Sequence, residues 1–202
     1  GSFGIRTDNL IVQSGTVNAT GGDGAEDSYG ISAYDVTISG GDVTATGGTV
    51  TATSEDGAED SYGIYVDYVT INGGTVTAEG GTAEVKSAGI DIVTLVISGG
   101  TVTATGNTSG VYADYDGKRI TIDPQTDQQI AVLLGESETA AAAIVGSPFA
   151  SKTEITSQVN NSGKYFHSEV VGITPPEPRN LPSPLTPPAA PPLPPRPRWT
   201  AS

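Results

Sequence analysis

The sequence predicts an all-β fold, a single-stranded solenoid, from three observations. Thr, Val, Ile, Tyr and Gly dominate the first two-thirds of the 202 residues, a mixture that favours pleated strands and tight turns. A short anchor recurs along that stretch, as "SFGI" at Ser2, "SYGI" at Ser28 and Ser61, "SAGI" at Ser87 and a looser "TSGV" at Thr108. Around each anchor, apolar residues alternate with polar ones at the two-residue period of a strand.

Each anchor is followed by a second element, "LIVQSG", "DVTISGG", "YVTINGG" and "TLVISGG". A third comes next, "TVNATGG", "DVTATGG", "TVTAEGG" and "TVTATGN". Three short strands per repeat, each closed by Gly or a small polar residue, describe one rung of a coil. The interval between the second and third anchors is lengthened by "TVTATSE", Thr49–Glu55, which extends one turn and leaves the later pattern intact.

Alternation assigns the faces. Ile5, Ile31, Ile64, Ile90 and Val111 form one inward column. Leu10, Val36, Val69, Leu95 and Ile120 form a second, accompanied by Val12, Ile38, Ile71, Ile97 and Ile122, and Val17, Val43, Val76 and Val102 form a third. One rung cannot bury its apolar face alone, whereas stacked rungs share a continuous core. The expected architecture is a right-handed parallel β-helix of about five rungs over residues 1–123, the rung count following from the five anchors.

Residues 124–173 break the pattern and are expected to cap the open end, because an uncovered solenoid end is an exposed sheet edge. "QQIAVLLG", "TEITSQV" and "KYFHSEVVG" read as strands, and "SETAAAAIVG" as a short helix or a buried strand. Residues 174–202 hold most of the 14 prolines and read as an extended or disordered tail, a spacer in the first instance. "PPLPPRPR" within it also has the form of a proline-groove ligand. The opening "GSFGI", in mid-repeat and without Met, reads as part of a longer protein.

The net charge of -14 argues against nucleic acid as a partner, since that binding draws on a basic surface. No apolar run is long enough to make a transmembrane segment. Cysteine is absent, and His167 is the single histidine. The solenoid's basic residues, Arg6, Lys86, Lys118 and Arg119, are scattered, and no nucleophile stands beside a base. A non-catalytic protein is expected.

"DGAEDSYGI" occurs twice, at Asp23 and Asp56. Stacked in register, Asp23, Glu26 and Asp27 would lie beside Asp56, Glu59 and Asp60, where like charges oppose one another. These side chains must splay into water, hold protons, or share a hard cation, for which calcium with its oxygen ligands is the natural candidate. A second set faces outward on the anchor strand: Phe3, Tyr29 and Tyr62, then Tyr65 and Tyr112, interleaved with Asp67 and Asp114. Such rings serve as strand-stabilising ladders or as platforms for sugar rings. A third set is threonine, with "TVT" at Thr49, Thr75 and Thr101 and outward Thr16, Thr44, Thr46 and Thr105. Ranks of this kind resemble an ice-binding face, but Asn18, Asp42 and Glu79 interrupt them.

The "VTINGGTVTAEGG" and "VISGGTVTATG" units, alternating with "DGAEDSYGI" loops, resemble repeats of adhesin-like surface proteins of gut Firmicutes and clostridial β-helix carbohydrate-binding domains. The resemblance covers Ser2 to about Asp123, and "GSPFASKTEITSQV" with "GKYFHSE" resembles segments that end such arrays. It implies a secreted or wall-attached, non-catalytic protein that binds polysaccharide, with calcium in the acidic turns. The chain departs from that pattern in having no "LPxTG" motif and no tryptophan in its repeats. A purely structural stalk is the alternative.

Overall fold

The computed structural model describes residues 1–24, 26–51, 59–113, 117–159 and 163–173. Among them the chain alternates between two mixed sheets. Long strands β1 (Ser2–Val12), β3 (Ser28–Ile38), β5 (Asp60–Ile71) and β7 (Lys86–Ile97) run parallel in the first. Short strands β2 (Thr16–Thr20), β4 (Asp42–Thr46), β6 (Thr75–Glu79) and β8 (Thr101–Thr105) run parallel in the second. Beyond β7, strands β9 (Ser109–Tyr112) and β10 (Arg119–Ile122) both pair with it in parallel.

The register reproduces each expected column. Ile5 pairs with Ile31, Ile31 with Ile64, Ile64 with Ile90 and Ile90 with Val111. The Leu10-to-Ile120, Val12-to-Ile122 and Val17-to-Val102 columns pair in the same way. Ile31, Ile64 and Ile90 are fully buried, and burial of each such side chain contributes about 1.5–3 kcal/mol. Ile5, Leu10 and Val17, on the edge strands β1 and β2, are only partly covered.

The expectation of three separate strands per repeat is corrected. Anchor and second element run on as one strand of 11 residues in β3 and 12 in β5 and β7. Within β5, Ile64 and Val66 are buried, then Val69 and Ile71, and between them consecutive Asp67 and Tyr68 lie outside the core. The chain therefore turns a corner at this point while pairing continues on either side. Backbone ladders tolerate such a bend, so the change of face is not a change of element.

A further buried column, Ala19, Ala45, Ala78 and Ala104, explains the anchor glycine. A Cβ on Gly63 would lie 2.6 Å from the Glu79 nitrogen and 2.7 Å from the Ala45 oxygen. The two sheets meet backbone to backbone there, and only glycine opposite alanine fits. The anchor serine fastens the same junction. Ser61 Oγ donates to the Gly48 carbonyl at 2.8 Å and accepts from the Gly81 amide at 2.9 Å. Ser28 makes the equivalent pair of bonds to Gly22 and Gly48. The turns that return the chain to the second sheet use Gly41, Gly74 and Gly100 at φ of 82°, 82° and 79°, where a side chain is strained.

At the C-terminal side the pairing becomes antiparallel. β14 (Tyr165–Ile173) adds to β8, and β11 (Gln128–Gly135) adds to β14. β13 (Thr153–Glu154) covers β10, and β12 (Ala142–Ala143) pairs with β11. Ile130, Val132, Phe149, Ile155, Val159 and Phe166 join the core of the repeats. Two expectations change here. "SETAAAAIVG" is neither a buried strand nor a regular helix, but an exposed 3-10 turn at Glu138–Ala140 followed by two residues of strand. In "TEITSQV" the chain leaves the strand after Glu154 and makes one helical turn, α1 (Thr156–Val159), which buries Val159. The proline-rich segment and its "PPLPPRPR" lie outside the described residues.

Candidate ligand-binding cleft

The outward face of β1, β3 and β5 carries stacked aromatic rings because the register puts like residues on neighbouring strands. Phe3 pairs with Tyr29 and Tyr29 with Tyr62, and their ring centroids are 5.1 and 5.8 Å apart. Tyr65, three residues further along β5, closes over both tyrosines at 5.3 Å from Tyr29 and 5.5 Å from Tyr62. Tyr62 is thereby buried at 2 % exposure, whereas Tyr65 stays 44 % exposed. Tyr62 is thus the support and Tyr65 the accessible platform, which refines the expectation that both rings face a ligand.

The last carboxylates of the two acidic repeats, Asp27 and Asp60, bond inward. Asp27 Oδ1 accepts from the Asp60 amide at 3.0 Å, and its Oδ2 accepts from the Tyr29 hydroxyl at 2.9 Å. Asp60 Oδ2 accepts from the Tyr62 hydroxyl at 2.6 Å. The next position in this column is a cation, since Asp60 pairs in register with Lys86. Burial, then the hydrogen bond to its own aspartate, pushes the Tyr29 and Tyr62 hydroxyls above the usual phenol range and holds them protonated.

Of the other expected cation ligands, Asp23 Oδ1 accepts from the Thr49 amide at 2.6 Å and the Glu26 side chain is exposed. Glu59 is 1 % exposed, and neither of its carboxylate oxygens has a hydrogen-bond partner among the described residues. Asp56 and Asp114 lie outside the described residues. Among the described residues no three acidic or imidazole groups converge on one point.

Three residues not expected at the site complete it. Asp91, 5 % exposed, follows Ile90 and pairs in register with Tyr65 on one side and Tyr112 on the other. Lys118 Nζ lies 2.7 Å from its Oδ1 and Lys86 Nζ 3.9 Å from its Oδ2. Lys86 also sits 3.8 Å above the Tyr112 ring, which leaves Tyr112 partly covered. Lys86 was legible by aligning anchors, where "KSAGI" replaces "DSYGI", whereas Lys118 stands after the last anchor, outside the repeated pattern.

Together these side chains line a cavity of about 480 Å³, floored by Tyr62, Tyr65, Val66 and Ile92 and rimmed by Asp27, Asp60, Asp67, Asp91, Lys86 and Lys118. Asp67 also borders the neighbouring depression around Tyr34. There Tyr34 and Tyr68, 55 % and 43 % exposed, meet edge to face at 5.3 Å. The sequence reading passed over this pair because it sits at the bend, where strand alternation breaks.

The threonine ranks are interrupted as well. Thr75 pairs with Asp42 and not with Thr49, Thr46 pairs with Glu79, and His167 crosses at Thr103 with Nδ1 3.0 Å from its hydroxyl. A flat, uncharged threonine face does not form.

A family model described as a beta helix repeat matches residues 36–64, 69–91 and 95–113. Those segments hold the last three residues of β3, most of β5 and β7, and all of β4, β6, β8 and β9, so this part of the chain is similar to β-helix repeats. Comparison with curated proteins and with solved structures returned no match. No helix among the described residues is long and apolar enough to cross a membrane.

Proposed function

We propose that this chain is a non-catalytic, extracellular β-helical surface protein that binds polysaccharide in the tyrosine cleft. In this reading the alternating sheets are about five turns of a right-handed parallel β-helix. The observation that carries the function is Tyr65: an open ring, backed by two stacked tyrosines, beside a rim of acidic and basic groups. A sugar ring has an apolar face that stacks on such a ring and hydroxyls that bond a charged rim. The exposed pair Tyr34 and Tyr68, reached past Asp67, extends the platform along the direction a polymer would take.

Calcium belongs to this proposal through Glu59, whose buried oxygens have no hydrogen-bond partner among the described residues. A ligand held only by the folded state raises its melting midpoint, and a midpoint unchanged by calcium removes the cation from the account.

Glycan-array binding of the chain and of Tyr65→Ala tests the function. Binding to a subset of polysaccharides that Tyr65→Ala loses, with an unchanged melting midpoint, supports it. No binding by the parent chain leaves the stalk.

A further inference from the structure

The rim of the cleft is unbalanced in charge, and the imbalance points to a class of ligand. Four carboxylates, Asp27, Asp60, Asp67 and Asp91, face two ammonium groups, Lys86 and Lys118. Both lysines are committed to Asp91, at 2.7 and 3.9 Å, so that end of the cleft is internally matched. Asp67, which lies beyond Tyr65 on the same strand, is in no salt bridge among the described residues. Tyr65 lies within the field of all four carboxylates, which, after burial, hold its hydroxyl above the usual phenol range.

The rings themselves take cations. Arg6 lies 4.8 Å over Phe3 at one end of the column, and Lys86 lies 3.8 Å over Tyr112 at the other. Between them the exposed Tyr65 offers the same electron-rich surface beside carboxylates, the arrangement that holds an ammonium ion. A chain of net charge -14 also draws cations toward it and repels polyanions.

Resting on the carbohydrate reading above, we infer that the cleft selects glycans bearing free protonated amines, hexosamine polymers, over neutral and uronic-acid polymers. The sugar ring stacks on Tyr65, and its ammonium lies beside Asp67, two residues further along the strand, supplying positive charge to a rim with an excess of carboxylates.

The test uses the whole 202-residue chain and five defined probes at slightly acidic pH: glucosamine hexamer, its fully N-acetylated counterpart, cellohexaose, a galacturonate hexamer and hexalysine. Calorimetric titration is expected to give glucosamine hexamer about tenfold tighter binding than the acetylated or neutral hexamer, with no galacturonate binding. That preference shrinks with added salt. Asp67→Asn, a change of charge without change of shape, is expected to lose most of the preference for glucosamine hexamer over cellohexaose, with an unchanged melting midpoint. Equal affinity for aminated and acetylated hexamers overturns the inference and leaves carbohydrate binding standing. Hexalysine binding as tightly as glucosamine hexamer overturns it too, because charge alone then suffices. If no saccharide binds, the carbohydrate reading itself falls.

Discussion

Asp27 and Asp60, equivalent residues of the two identical acidic loops, are joined rather than opposed: the Asp60 amide donates to Asp27 Oδ1 at 3.0 Å. The second Asp27 oxygen accepts from Tyr29, so the loop carboxylate fixes both the next strand and the ring stack. Replacing Asp27 with Ala strands the Asp60 amide and the Tyr29 hydroxyl in a part-buried setting. The expected loss is about 1–3 kcal/mol, measured by urea unfolding. A variant as stable as the parent would mean that these bonds are replaced by water at no cost.

The junction of the two sheets makes a sharper prediction. At Gly63 an added methyl meets the backbone of both neighbouring short strands at 2.6 and 2.7 Å, and backbone cannot rotate aside. Gly63→Ala is expected to destabilise by about 1–3 kcal/mol. At Gly24 nothing lies within 4 Å of the same added atom, and Gly24→Ala is expected to stay within about 0.5 kcal/mol. Similar losses at both positions would show that the sheets do not meet as described.

The buried phenols give a pH dependence with a definite sign. Tyr29, Tyr62 and Tyr65 all have pKa values raised above the ordinary 10, chiefly by burial. Above that value the unfolded chain loses protons that the folded chain keeps, so unfolding becomes easier as pH rises. The stabilisation is whole below about pH 10 and is lost as pH climbs through the folded-state values. Unfolding midpoints between about pH 8 and pH 11 check this. Tyr62→Phe, which cannot ionise, is expected to flatten the decline, and an unaltered slope would count against the buried position of that ring.

The columns were legible in the sequence because isoleucine, valine and leucine recur at fixed offsets from the anchor, and register preserves those offsets. Ile31, Ile64 and Ile90 could be aligned by eye. The alanine column was not, since Ala45 and Ala78 carry little hydrophobic signal and their burial follows from how closely the sheets approach. The site was half legible. Tyr29, Tyr62 and Tyr65 stood out by repetition, but alternation alone could not say that Tyr65 would fold over Tyr62 and bury it. Asp91 was hidden for another reason. Its role depends on two lysines from different strands or loops, and such convergence is a product of stacking that no single repeat displays.

In-register stacking of the long strands underlies all of these claims, and a chain without cysteine permits a clean chemical test. Thr37 and Thr70 are register partners on β3 and β5, whereas Thr103 belongs to β8 of the other sheet. Neighbouring strands bring paired Cα atoms to about 5 Å, within the reach of a disulfide. Under mild oxidation of the folded protein, the double variant Thr37→Cys with Thr70→Cys is expected to form an intramolecular bond, and Thr37→Cys with Thr103→Cys is not. Efficient closure of the second pair, or none of the first, would contradict the stacked arrangement.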